Sequence, residues 1–285
     1  MPKKLGDFFI VQCNVCNLRY TNPFPNRTIN YYPENYSSYI DPPKNCFKYR
    51  ILNSIVNDRI SEKVWIRILG ITFKKQFLLP QGDASIRTKK IILDVGCSTG
   101  FILKFFKNLD WECHGIEIDK QAVNIAKNKG LKIFYGSFNL ISLKENYYDI
   151  VRFNHVLEHL SHPFNAIKKS HQILKKGGLL LISVPNYDAL SRGLFGKYWR
   201  RGFEIPRHLY HFKYNTLKKI LEKNQFKIIR KNTASLPYLN FSSSFKFRFG
   251  LKKEPLFLKI IAIFFSLFQD LIGKGDAINI YARKY

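Results

Sequence analysis

With 285 residues, 46% of them hydrophobic, the chain is long enough for one large α/β domain with appendages and too apolar for global disorder. Its 47 basic against 20 acidic residues leave a formal charge of +27, which points to nucleic acid, an anionic membrane surface or an acidic substrate, or simply to a lysine-rich proteome. Five cysteines (Cys13, Cys16, Cys46, Cys97, Cys113), odd in number and without framework spacing, exclude a disulfide scaffold and suit a reducing cytoplasm, and no secretory leader is expected from Met1-Pro-Lys-Lys-Leu-Gly-Asp7.

Residues 1–45 read as a small strand-and-loop segment. A short strand over 8–11 leads into Cys13-Asn-Val-Cys16, which has the spacing of one zinc knuckle. Structural zinc wants four ligands and no second pair follows, so the segment reads as a degenerate half of a zinc ribbon with no metal expected. Asp41-Pro-Pro-Lys44 lacks an aromatic that could stack on a base and reads as a turn. Over 47–79 apolar residues recur at helical spacing (Ile51, Ile55, Val56, Ile60, Val64, Ile68), so 46–88 is expected to form a helical cover.

The chain then reaches Ile91-Ile-Leu-Asp-Val-Gly-Cys-Ser-Thr-Gly-Phe-Ile-Leu103, a buried strand, a glycine turn and a helix start. Such a turn lets backbone approach a nucleotide-like ligand closely. Helices are expected over 101–108, 120–129, 156–160, 166–174 (closed by Gly177-Gly178) and 216–224. Strands are expected over 112–117, 131–135, 148–154, 179–184, 226–230 and 277–282. The alternation predicts a Rossmann-like, doubly wound, mostly parallel seven-stranded α/β sheet with an antiparallel last strand, a helical lid and the small N-terminal segment. The sheet domain takes 89–235 and 276–285. An insertion over 236–275 carries the apolar run 255–272 with Lys246, Arg248, Lys252, Lys253 and Lys259 around it. It is too short to span a bilayer comfortably; it reads either as an interfacial helix on an anionic membrane through 246–272, or as a lid or dimer helix.

Three uses compete for the turn. A dinucleotide site would carry a glycine where Ser98 stands. Gly96-Cys-Ser-Thr-Gly100 matches a nucleophile elbow, and Asp188 and His208 could complete a triad, but no oxyanion-loop glycines precede it. An S-adenosylmethionine site explains more, because Glu117 closes the second strand 23 residues after Asp94 and can accept both ribose hydroxyls.

The chain resembles the class I S-adenosylmethionine-dependent methyltransferases, above all the group with quinone-biosynthesis O-methyltransferases and enzymes of surface-glycan synthesis. The resemblance rests on Ile92-Leu-Asp-Val-Gly-Cys-Ser-Thr-Gly100, His114-Gly-Ile-Glu-Ile-Asp119, Val156-Leu-Glu-His159, Leu174-Lys-Lys-Gly-Gly-Leu179 and Pro206-Arg-His-Leu-Tyr-His-Phe212. It implies S-adenosyl-L-methionine as cofactor, held around Asp94, Gly96, Cys97, Ser98 and Gly100. Glu117 would sit on the ribose, Ile118 on the adenine, Ser137 and Phe138 at the adenine edge, and Asn154 and His155 would face the sulfonium and the acceptor. Relatives with Glu-x-x-Glu-His at the strand-four end are described as cation-binding, which carries over only weakly to His155, Glu158 and His159. The match of His155-Val-Leu-Glu-His159 to a zinc-peptidase pattern is outweighed, since one methyltransferase frame accounts for many motifs.

Removing a proton from a hydroxyl acceptor needs a base, and His208, His155 and His211 are the candidates, with His208 first because 206–212 follows the fifth strand. Phe195, Tyr198, Trp199 and Tyr210 would line an acceptor pocket or form lid core. The expected activity is O-methylation of a small-molecule, glycan or lipid-linked acceptor in the cytoplasm, peripherally at the inner membrane face where the acceptor is lipid-linked. The absence of Pro-Cys or Asn-Pro-Pro-aromatic signatures argues against nucleic acid; RNA or protein methylation and a non-catalytic cofactor-binding protein are the alternatives.

Overall fold

Five residues, Ile91-Ile-Leu-Asp-Val95, form β3, an interior strand of a seven-stranded sheet. The computed structural model describes residues 8–25, 31–32, 90–235, 240–251 and 255–285. The expected helical cover over 46–88, the Asp41-Pro-Pro-Lys44 turn, Cys46, Lys252 and Lys253 lie outside the described residues. A hairpin of β1 (Phe9–Gln12) and β2 (Arg19–Asn22) precedes the sheet. After β3 come α1 (Phe101–Lys107), β4 (Glu112–Glu117), α2 (Lys120–Asn128), β5 (Lys132–Tyr135), β6 (Tyr148–Asn154), α3 (Pro163–Ile173) and β7 (Leu174–Pro185). Next are α4 (Leu190–Phe195), α5 (Arg200–Phe203), β8 (Tyr210–His211), α6 (Tyr214–Lys223), β9 (Phe226–Ala234), α7 (Phe241–Phe249), α8 (Leu256–Leu271) and β10 (Ala277–Lys284).

The strand order is β5-β4-β3-β6-β7-β10-β9, with β10 antiparallel to both β7 and β9 and the first five strands parallel. This is the expected fold class. The chain runs outward from β3 through β4 and β5, then returns to β6 on the other side. That switch point, beyond the carboxyl ends of β3 and β6, is where open α/β sheets hold ligands. Helices cover both faces, so alternate residues of one strand serve two cores. Leu93, Val95, Val151, Phe153, Leu180 and Ile182 pack on one face, and Ile92, Ile150, Leu181 and Tyr281 on the other. This two-sided burial is why the strands read as continuous apolar runs.

Two expectations are corrected. The helix before β7 begins at Pro163, whose fixed φ suits a first helical turn, and ends at Ile173. Gly177-Gly178 does not cap it: both lie inside β7, where the register against β6 jumps between the Tyr148–Leu174 and Ile150–Leu179 pairs. The stretch after β6 is one 3-10 turn, Leu157–His159, rather than a helix over 156–160.

The two-residue β8 is too short to leave a period in the sequence. It pairs with β2, so the N-terminal hairpin and the segment after β7 form a three-stranded sheet, β1-β2-β8. The insertion is joined to the lid. Ala189, Phe195 and Trp199 share a buried cluster with Phe241 of α7 and Leu258 and Ala262 of α8, which makes Phe195 and Trp199 lid core.

On the face with Ile92 and Ile150, the Arg152 guanidinium meets the Asp94 carboxylate at 2.6 Å with both side chains 3% exposed. Removing one partner of such a pair leaves a charge stranded in the core. Arg152→Met is therefore expected to lower stability by about 3–5 kcal/mol in urea titrations, and adding Asp94→Leu to restore most of it.

Candidate functional site

The turn after β3 is built by left-handed backbone. Gly96, Ser98 and Gly100 have φ of +69°, +52° and +73°. A Cβ on Gly96 would lie 2.4 Å from Val156, and one on Gly100 would lie 2.3 Å from Leu131. The first contact draws the turn against the segment that follows β6; the second seats α1 on the loop before β5. Ser98 adopts the conformation a glycine would take, which a short polar residue tolerates. Cys97 is buried, with its sulfur directed at Gly115, where a Cβ would come within 2.5 Å. Burial pushes its thiol well up, so Cys97 offers the site backbone rather than a nucleophile.

Glu117, at the end of β4, fastens the turn. The Ser98 N–H donates to its Oε2 at 2.8 Å, and the Ile118 and Asp119 N–H groups donate to its Oε1 at 2.8 and 3.0 Å. Burial pushes its pKa up against these three bonds. A carboxylate has about four acceptor positions, so ribose hydroxyls would share it with these amides. Ile118 beside it is 51% exposed, as a residue waiting to be covered by a flat ring would be. Phe138 is buried edge-on against Phe153 and Asp94 is engaged by Arg152. Their side chains shape the floor of the site instead of meeting a ligand. Ser137 is half-buried in the loop after β5.

At the end of β6, Asn154 keeps a buried Oδ1 with no hydrogen-bond donor. His155 follows with φ +55°, which swings its side chain out of the strand. Its Nδ1 lies 3.4 Å from Glu158 Oε1, with the His155 side chain 42% exposed and that of Glu158 fully buried. Glu158 in turn faces His208, whose Nε2 is 4.0 Å away.

The structure brings His155, Glu158, His159 and His208 together and sets His211 apart. His208 Nδ1 bonds the Gly202 carbonyl at 2.9 Å and His159 Nδ1 bonds the Arg207 carbonyl at 2.9 Å. Carbonyls only accept, so both rings carry hydrogen on Nδ1 and keep a lone pair on Nε2. Thr21 spends its hydroxyl hydrogen on the His208 carbonyl, so the His211 Nε2–H donates to Thr21. His211 thus fixes the N-terminal hairpin. Burial pushes His208 down to about 3, and His159 and His211 down to about 4.

Among the described residues, Glu158, His159 and His208 can bring three ligand atoms within 4.8 Å of one another. Both Glu158 oxygens lack a hydrogen bond. The histidine and carboxylate donors suit a divalent transition ion. Cys13, by contrast, sits at the hairpin turn, where the backbone N–H groups of Cys16 and Val15 hold its thiol below the usual range. The sequence did not single out Arg152, Glu204, Arg207 or Tyr187. Arg207 pairs with Glu204 at 2.8 Å, and the guanidiniums of Arg19 and Arg192 lie 4.6 and 4.4 Å from the Tyr187 ring. The Asp94–Arg152 and Arg19–Tyr187 contacts join segments far apart in the chain, which no local spacing signals, whereas Arg207–Glu204 and Arg192–Tyr187 are local.

Residues 71–231 match the profile of a family described as a methyltransferase domain. A ubiquinone biosynthesis O-methyltransferase of Nitrosococcus oceani is 30% identical over 113 residues, covering 37% of this chain and 48% of that protein. The chain thus spans about half the length of the curated relatives it matches. Among solved structures, an S-adenosylmethionine-dependent methyltransferase from Archaeoglobus fulgidus superposes with a TM-score of 0.50 at 21% identity, over 70% of this chain and 88% of that one. A Listeria monocytogenes protein, titled a putative S-adenosylmethionine dependent methyltransferase, gives 0.51 at 19% identity, over 74% and 95%. At these identities the structures establish the fold alone.

The buried histidines set a pH dependence. They bind fewer protons folded than unfolded between about 4 and 6.5. The stability they contribute is therefore complete above 6.5 and lost as pH falls. Asp276, pushed up to about 6 by burial, works in the opposite sense, gaining stability as pH falls through 6. Burial raises Asp94 and Glu117 in the same sense as Asp276 and lowers His114 and His171 in the same sense as the other three histidines, so five histidines stand against three carboxyls. The urea midpoint should fall between about pH 7.5 and pH 5, and His211→Gln should lessen that fall; a fall of the same size in the variant would contradict the buried, neutral state of His211.

Proposed function

The chain belongs to the methyltransferase-domain family, the class I S-adenosylmethionine-dependent methyltransferases, and on that premise we propose that it methylates an oxygen of a small-molecule, glycan or lipid-linked acceptor. The observation that carries this reading is the meeting, at one switch point, of the Glu117-fastened turn with the His155–Glu158 pair. The residues present fit the cofactor. Asn154 Oδ1 is buried without a donor, Ile118 is half exposed beside the Glu117 carboxylate, and Gly96, Ser98 and Gly100 hold the turn in left-handed backbone. Glu117 would hold the ribose, Ile118 the adenine, and Gly96 to Gly100 with Asn154 the methionine part. When bound, S-adenosylmethionine supplies an electrophilic methyl group on a sulfonium.

The remaining work falls to the protein. His155 is the best-placed base, because Glu158 can accept its Nδ1–H, fix the tautomer and leave Nε2 to take the acceptor proton. The buried Glu158 carboxylate then stabilises the imidazolium that forms. His208 and His211 rank below His155, because burial makes them weak bases. Arg19 and Arg192, over Tyr187 just past the end of β7, would draw an acceptor carrying negative charge towards the site.

We assign the cofactor-binding unit to 89–235 with 276–285, and the appended segments to 1–45, 46–88 and 236–275. A lipid-linked acceptor would be met at the cytoplasmic face of an anionic membrane through 246–272. No described helix is long and apolar enough to cross a membrane.

The reaction separates the histidines. With catechols, sugars or polyprenyl phenols as acceptors and S-adenosylhomocysteine release as readout, His155→Ala should lower kcat about 100-fold or more. Cofactor affinity should hold. His208→Ala should chiefly lower the unfolding midpoint. Equal losses of kcat and cofactor affinity in His155→Ala would contradict its role as base.

A further inference from the structure

Helix α8 is amphipathic the wrong way round for a soluble protein. Its inner face carries Leu258, Ala262, Ser266 and Gln269, all buried. Its outer face carries Phe257, Ile260, Ile261, Phe264, Phe268 and Leu271, which recur at i, i+3, i+4, i+7, i+11 and i+14 and form one stripe. Phe264 is 68% and Leu271 84% exposed. Every exposed position of the helix is a large apolar residue. At the end of α7, Phe247 and Phe249 are also exposed, by 52% and 57%.

The orientation is held from below by specific polar contacts. Gln269 Nε2 donates to Ser235 Oγ at 2.8 Å, and its Oε1 accepts from the Ser191 N–H at 3.3 Å. Ser235 Oγ donates to Asp270 Oδ1 at 2.7 Å. Asp276 completes the clasp by accepting from the Ser191 hydroxyl. Rotating the helix to bury its phenylalanines would strand Gln269 and Asp270 together with their partners on Ser235 and Ser191, at a cost that hydrogen-bonded burial avoids. The apolar face is therefore fixed outward.

Charge selects the occupant. Residues 240–275 contain six Lys or Arg and two Asp or Glu. Asp270 is spent on Ser235. The guanidiniums of Arg200 and Arg248 lie 5.0 and 5.6 Å from the rings of Phe247 and Phe249, so these cations edge exposed apolar rings. A second copy docked on this face would bring the same cations against themselves. An anionic surface would neutralise them. At 16 residues the helix is about 24 Å long, short of the roughly 20 residues needed to cross a bilayer and sufficient to lie in its interface.

We propose that the outer face of α8, together with Phe247 and Phe249 and edged by Lys246, Arg248, Lys259 and Lys274, seats the protein on an anionic lipid bilayer. The helix lies in the headgroup plane without spanning it. Because the inner face of α8 packs on Ala189, Phe195 and Trp199, the seat is also the back of the lid over the candidate site. The docking goes beyond the proposed reaction and does not depend on it: a chain acting on a soluble acceptor would still bind the bilayer.

The test is sedimentation of the full chain with vesicles of phosphatidylcholine containing phosphatidylglycerol, and of phosphatidylcholine alone. The chain should partition onto the anionic vesicles, and less strongly in high salt. Phe264→Asp with Phe268→Asp should cut partitioning by roughly tenfold or more while the unfolding midpoint and the affinity for S-adenosylhomocysteine hold. Lys246→Glu with Lys274→Glu should weaken binding to the anionic vesicles alone. No partitioning of the intact chain, or equal partitioning of the Phe264→Asp/Phe268→Asp protein, would overturn the proposal. So would a dimer in sedimentation velocity that the same pair of substitutions dissolves, because the face would then belong to a second copy.

Discussion

The Glu117 carboxylate is the constraint from which the candidate site follows. It gathers three backbone N–H groups, one from the turn after β3 and two from the end of β4. The turn has no side-chain cap of its own, since Gly100 precedes α1 in a left-handed conformation. Its position is instead set by the neighbouring strand. Asp94 and Arg152 do similar work one layer down, locking β3 to β6. The turn, the end of β4 and the end of β6 are held as one rigid edge, and His155 and Glu158 are presented on it.

Much of this could be read from the residues. Buried parallel strands announce themselves as apolar runs, and Asp94-Val-Gly-Cys-Ser-Thr-Gly100 with Glu117 marks a strand–turn–strand arrangement in local sequence. What stayed hidden depends on pairs distant in the chain. Nothing near Asp94 announces Arg152, and nothing near Thr21 announces His211, 190 residues away. His208 illustrates the difficulty. Its place after β7 suggests chemistry, yet its ring is buried and bonded to Gly202, and burial alone changes what it can do. Gly177-Gly178 resembles a helix stop because a glycine pair is also what an irregularity inside a long strand needs.

The insertion shows the opposite relation. Its apolar run and flanking lysines are plain in the sequence, but composition could not tell a lid helix from an interfacial one. The structure gives the helix two unlike faces: a buried one of Leu258, Ala262, Ser266 and Gln269 turned to the lid, and a large, apolar, exposed one turned outward. Only side-chain placement separates them. The polar clasp around Ser235, Gln269 and Asp276 explains why the helix does not turn its phenylalanines inward.

The central claim is that Glu117 and the turn it holds form the S-adenosylmethionine site. Calorimetric titration of S-adenosylhomocysteine into the full chain and into Glu117→Ala tests it most directly. Saturable binding at one site, weakened by roughly tenfold or more in the variant at a temperature where it remains folded, is the predicted result. Binding of equal affinity in the variant, or no binding by the folded intact chain, would contradict it.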